Sequence, residues 1–210
     1  MRGPIRITGA LLAAFAVAAC GGARPGVQAA STPAAQRPAN PADVRFMTDM
    51  IGHHAQALVM SRLAAPNGAS PSVRTLAARI VNAQQDEIRL MQTWLQDHGQ
   101  PAPHVDSTGA VHGGSGGDHA HHGMPGMLTP EQLAQLEKAR GEEFDKLFLQ
   151  FMIQHHRGAT EMVKQLFASQ GAALDDTVFK LASDVNVDQL TEIERMRRML
   201  AAITIGIQVP

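Results

Sequence analysis

The chain has 210 residues with 18 Lys and Arg against 19 Asp and Glu, and a formal net charge of -1, which excludes the basic footprint of a nucleic-acid-binding protein. Hydrophobic residues make up 44% of the chain but aromatics only 4%, with Ala, Leu and Met prominent, a palette that favours helices over sheets. The single cysteine, Cys20, excludes an internal disulfide, a thiolate zinc cage and a Cys nucleophile in the mature domain, so any metal must be held by His, Met or carboxylate.

Residues 1–19 read as an address. Arg2 and Arg6 flank the start, Ile7 to Ala18 form an apolar run too short to span a bilayer, and Cys20 follows the small residues Val17-Ala18-Ala19. This resembles a bacterial lipoprotein signal, cut after Ala19 and lipidated on Cys20; the alternative is an ordinary secretory signal cut nearby. Either way the chain is expected to be exported to the cell envelope or periplasm, and the lipid would hold it to a membrane. Loss of Arg2 and Arg6 leaves a mature charge of about -3. Residues 20–40, rich in Ala, Pro and Gly, read as a flexible tether.

The folded domain is expected over 41–202. Asn40-Pro41 with Asp43 reads as a helix start, and Pro66-Asn67-Gly68 as its stop near Leu63. Ser70-Pro71 opens a second helix that ends at His98-Gly99. From 99 to 128 Gly, Pro and His replace any apolar period, which predicts a long mobile loop without elements. Thr129-Pro130-Glu131-Gln132 restarts a short helix, Gly141 marks a break, and a further helix runs to Ser169. Asp175 or Asp176 caps the last one, which continues through Met199.

A segment of the first long helix returns in the third. Asp43, Phe46, Met50-Ile51, His53-His54, Ala57 and Met60 reappear 102 residues later as Asp145, Phe148, Met152-Ile153, His155-His156, Ala159 and Met162. Val73, Leu76, Gln84, Glu87, Ile88 and Met91 of the second helix likewise match Val178, Leu181, Gln189, Glu192, Ile193 and Met196 of the last. Two copies of one helical hairpin pack most simply as an all-α four-helix bundle with approximate two-fold symmetry.

Helical spacing puts Phe46, Met50, His53, His54 and Ala57 on one side of the first helix and their copies on one side of the third. On the second helix Leu76, Ile80, Ala83, Glu87, Leu90 and Trp94 read as an apolar stripe with a carboxylate in its middle, and Glu192 lies among Leu181, Val185, Met196 and Met199. A carboxylate inside a bundle needs a partner. The interior is thus expected to gather His53, His54, His155, His156, Met50, Met152, Glu87 and Glu192. Three readings are open: His–Glu hydrogen bonds that brace the bundle, a metal site, and an oxidative di-metal centre of the oxidase or peroxidase type. Thioether Met50 and Met152 stand where such oxidative bundles place a Glu, three residues before a ligand His, and this moves preference from iron or manganese toward copper, as Cu(I) or Cu(II). In the loop His112, His119, His121, His122, Met124 and Met127 offer a second, labile candidate site; the bland reading is a solvated linker.

Met50-Ile-Gly-His-His54 with Gln84-Gln-Asp-Glu-Ile88, and Met152-Ile-Gln-His-His156 with Gln189-Leu-Thr-Glu-Ile193, resemble the paired Met-Ile-x-His-His and Gln-x-x-Glu-Ile helices of the domain of unknown function 305 family, over about residues 41–201. The resemblance implies a ferritin-like fold and, for exported members, an association with copper binding and copper tolerance. It carries over to the His pairs, Met50, Met152, Glu87 and Glu192, and not to the His-rich loop. No nucleophile, base and oxyanion arrangement is visible, so the expected role is copper sequestration or chaperoning rather than catalysis. A homo-oligomer, or an envelope interaction module without metal, remains open.

Overall fold

The computed structural model describes residues 38–113 and 123–206. The signal segment, Cys20, most of the tether and His119, His121 and His122 lie outside the described residues. The described chain is mostly helical: α1 (Pro41–Arg62), α2 (Pro71–Asp97), α3 (Pro130–Lys138), α4 (Gly141–Ala168) and α5 (Asp176–Thr204), with two two-residue strands, β1 (His104–Val105) and β2 (Val111–His112). None of these helices is long and apolar enough to cross a membrane.

The helices begin where the caps dictate. The side chains of Asn40, Ser70, Thr129 and Asp175 accept from first-turn N–H groups of α1, α2, α3 and α5, and three of these helices open with Pro, whose missing N–H is not needed there. α4 has no such side-chain cap and starts on Gly141 at φ +57, whose N–H donates to the carbonyl of Asn67 at 2.9 Å. Asn67, 4% exposed, also donates through Nδ2 to the carbonyls of Leu136, Glu137 and Ala139, which satisfies the open end of α3.

α1 packs along α2 and α4 along α5 as two hairpins, and the hairpins meet through α1 and α4. The repeated aspartates clasp them reciprocally. Asp43 on α1 accepts from the Ala173 N–H at 2.7 Å in the α4–α5 turn, and Asp145 on α4 accepts from the Ser70 N–H at 3.2 Å in the α1–α2 turn. The first-turn position foreseen for Asp43 holds, but its carboxylate serves the opposite hairpin.

The apolar core falls into two clusters with contributions from the same four helices. One holds Met60, Leu76, Ile80, Phe148, Met152 and Met196, the other Phe46, Met50, Ile88, Met91, Leu166 and Val185. Fully burying side chains of this size contributes about 1.5–3 kcal/mol each. Between the clusters along each helix lie the histidines and the Gln and Glu of the repeat.

Two expectations need correction. The α2 stripe is rotated from the one read in sequence: Val73, Leu76, Ala77, Ile80, Gln84, Ile88, Met91, Trp94 and Leu95 are buried, whereas Ala83 and Leu90 are exposed. The reason is that α2 faces α1, while its Leu90 edge borders a groove toward α5. The loop 99–128 is also not featureless. β1 and β2 form an antiparallel ribbon, and residues 123–129 form a strap seated on α4.

Candidate metal centre

His53 and His54 lie midway along α1, His155 and His156 midway along α4, and all four are 0% exposed. His54 donates from Nε2 to Glu87 Oε2 at 2.6 Å, and His156 from Nε2 to Glu192 Oε2 at 2.7 Å. Each couple joins the first helix of a hairpin to its second, so the carboxylates expected to need partners have them, in both copies. The remaining two imidazoles meet across the hairpin interface: the His53 and His155 rings have centroids 3.9 Å apart and planes tilted by 36°.

These partners fix which nitrogens are occupied. Carboxylates and carbonyls only accept, so Nε2 of His54, His156 and His53 carries the proton, the last donating to the Pro125 carbonyl at 3.1 Å. Among the described residues, Nδ1 of His53, His54 and His156 and both ring nitrogens of His155 are buried without a partner. Burial, with the neighbouring imidazoles, brings the His53 pKa down to about 3 and holds His155 well below its usual value. Both rings are therefore neutral at physiological pH, the form that ligates a metal.

Met50 and Met152 are fully buried, one turn before the histidines, in opposite apolar clusters. Gln84 and Gln189 join the layer one turn before Glu87 and Glu192. They are 1% and 2% exposed, and both amide atoms of Gln84 and Oε1 of Gln189 lack partners among the described residues. Sequence reasoning used them only as motif letters; their recurrence in register with the glutamates was the available signal. Pro125 was not foreseen at all. Its carbonyl reaches His53 because Gly158 has no side chain: a Cβ there would stand 1.9 Å from the Pro125 oxygen. Gln56 locks the strap by exchanging two hydrogen bonds with the Leu128 backbone, at 2.7 and 3.1 Å. Met124 lies on this strap, partly buried against the cluster that contains Met50.

Glu87 also lines a groove of about 350 Å³ between α2 and α5, together with Asp86, Leu90, Leu181, Asp184, Val187 and Asp188. Partial burial and the charges of Glu87, Glu192 and Asp184 push the Asp188 carboxyl up, so the groove is electronegative beside the couples. Among the described residues no three of His, Cys, Asp and Glu are arranged to hold one ion, so the layer is not a closed cage.

The family model described as Domain of unknown function (DUF305) matches residues 43–200, which include both hairpins and every member of the layer. The chain belongs to the DUF305 family. A DUF305 fragment from Deinococcus radiodurans is 30% identical, with a TM-score of 0.66 over 79% of this chain and 99% of its own. A presumed secreted DUF305 protein from Streptomyces coelicolor is 29% identical, TM-score 0.66, covering 78% and 92%. CopM in its Cu(II)-bound form is 27% identical, TM-score 0.57, covering 76% of this chain and 95% of that one, and CopM in its Cu(I)-bound form is similar at 27% identity and 0.55 over 74% and 93%. No curated protein matches the chain. The DUF305 match thus confirms the family expected from the two motif pairs.

Proposed function

We propose that this DUF305 protein is an exported copper-binding protein of the cell envelope, anchored by a lipid on Cys20, whose two hairpins form a ferritin-like four-helix bundle that holds the ion in its histidine layer. The observation that carries this reading is the set of buried ring nitrogens without partners, contributed by both hairpins, with the His53 and His155 rings kept neutral by burial. An unpaired buried polar nitrogen costs about 1–3 kcal/mol, and a layer that tolerates five of them, four with a free lone pair because the neutral His155 ring keeps a proton on one of its two, is accounted for by a ligand that takes those lone pairs. Copper suits donors that combine imidazole with thioether, and CopM, similar over most of its length, is known in Cu(I)-, Cu(II)- and Ag-bound forms.

In this reading His54 and His156 are the main ligands, assisted by His53, His155, Met50 and Met152. Glu87 and Glu192 hold the Nε2 protons and leave Nδ1 to the ion, as carboxylates commonly do for ligating histidines. The electronegative groove between α2 and α5 draws cations toward the couples. His119, His121 and His122 with Met124 make a first, weaker capture before the ion passes inward. The role is sequestration or delivery in support of copper tolerance.

One observation favours a second reading, in which the histidines only brace the helices: both His–Glu bonds are complete, and among the described residues no three of His, Cys, Asp and Glu converge. Thermal melting separates the two. An ion that binds only the folded state at 100 times its dissociation constant adds about 2.7 kcal/mol, or roughly 5–10 °C for a domain of this size. A rise of that order under Cu(I) or Cu(II) is expected; a melt indifferent to copper in both oxidation states would leave bracing as the function of the layer.

A further inference from the structure

The ribbon that follows α2 brings together two imidazoles remote from the helical interior. His104 on β1 stands opposite His112 on β2, and Val105 opposite Val111, so both imidazoles leave the ribbon on the same face. Their ring centroids are 6.5 Å apart with planes at 29°. The turn between them is held by Asp106, whose Oδ1 accepts from Thr108 N at 2.8 Å, Thr108 Oγ1 at 2.6 Å and Ala110 N at 3.1 Å. Its other oxygen, Oδ2, accepts from His112 Nε2 at 2.8 Å, which leaves Nδ1 as the lone pair of His112. Among the described residues the His104 ring makes no hydrogen bond, its ladder bonds to His112 running through the backbone alone.

The ribbon is fixed to the helices. Gln92 donates to the Pro103 carbonyl at 2.7 Å, and Gly109, at φ +93, lies so close to Val59 on α1 that a Cβ would stand 2.6 Å from its Cγ2. The register of the two imidazoles is thereby set before any ligand arrives.

We propose that His104 and His112 form a separate surface site that takes one transition-metal ion through two imidazoles, with Asp106 orienting His112. An imidazole bound at about 2.0–2.1 Å places its ring centre about 3.2 Å from the ion, so two rings on opposite sides of it stand about 6.4 Å apart. The observed separation differs by a tenth of an ångström, and both side chains are exposed, with the His104 ring able to turn toward a His112 ring that Asp106 holds. Arg62 and Arg89 line the groove beside His104, so net negative charge does not gather ions here. Selection rests on ligation, which with the rings on opposite sides of the ion suits square-planar or tetragonal copper(II) or nickel(II) and rejects Mg²⁺ and Ca²⁺. With two protein ligands and water in the other positions, the site exchanges its ion readily. It stands independently of the histidine layer between the hairpins.

The test adds Cu(II) stepwise to the full chain, continuing past the amount the histidine layer retains, and follows the histidine ring protons by NMR, with signals assigned from His104→Gln and His112→Gln. The His104 and His112 signals should broaden together, and each substitution should raise the copper needed to broaden the other by at least about tenfold, since the second imidazole then no longer binds intramolecularly. Asp106→Asn keeps a turn acceptor and should weaken binding by about tenfold, with the Val105 and Val111 amide signals reporting an intact ribbon. Mg²⁺ should change nothing. The site is overturned if His112 broadens at the same copper level in His104→Gln as in the parent chain, or if both rings stay sharp while other histidines broaden fully.

Discussion

The histidines of the layer carry three different obligations, and that difference makes the layer testable one residue at a time. His54 and His156 each spend one nitrogen on a glutamate and His53 spends one on a backbone carbonyl, whereas His155 spends neither on such a partner. His53 and His155 stay neutral when folded, with His53 at about 3 and His155 well below 6.5, but unfolded rings take up protons near 6.5. The unfolded state therefore binds more protons below that value. Stability of the metal-free protein should be complete above about pH 6.5 and fall as pH drops from there toward 3, by up to about 1.4 kcal/mol per pH unit for each ring. Urea unfolding at pH 7, 6 and 5 measures this. His155→Leu should remove about half of the slope, and a flat profile from pH 7 to 5 would show that the rings are not buried neutral.

At the scale of elements, the strap at 123–129 shows what the sequence could and could not tell. Asn-Pro, Ser-Pro and Thr-Pro starts are local chemistry, and the four long helices were legible from them and from the repeat. The strap reads as loop because its residues are Gly, Pro and Met; its order comes from tertiary packing on Gly158, which no period reveals. The ribbon escaped for a different reason: two-residue strands are too short for alternation to register, although His-Val and Val-His flanking a turn of five residues is a symmetric signal. The rotation of the α2 stripe was hidden because Ala83 and Leu90 are apolar yet exposed, Leu90 on the edge of the groove to α5. Gly158→Ala tests the strap by the sign of its effect. In an ordinary helix interior the change stabilises by about 1 kcal/mol; here the new Cβ meets the Pro125 carbonyl, and we expect a loss of about 1–3 kcal/mol as the strap lifts from His53. A higher melting temperature for the variant would contradict the seating.

For the whole molecule, duplication explains why polar groups sit at mid-height between two apolar clusters. One hairpin alone would bury a single His–Glu couple and leave its second imidazole without a counterpart, whereas two hairpins clasped through Asp43 and Asp145 bring His53 against His155. The sequence revealed which residues share this layer, because identical spacing recurs in both copies; it did not reveal which nitrogen each ring leaves free, since that depends on partners as distant as Pro125. His155 is the residue on which the metal and bracing readings diverge most, because its ring forms no couple with a glutamate and its polar contact with the His53 backbone is the least of the influences on it. The decisive measurement is the copper retained after desalting by the full chain and by His155→Leu, with folding of both verified by circular dichroism. The account predicts that the variant folds at least as stably and, having lost an assisting ligand, retains less copper per chain; equal copper in the two proteins would contradict it.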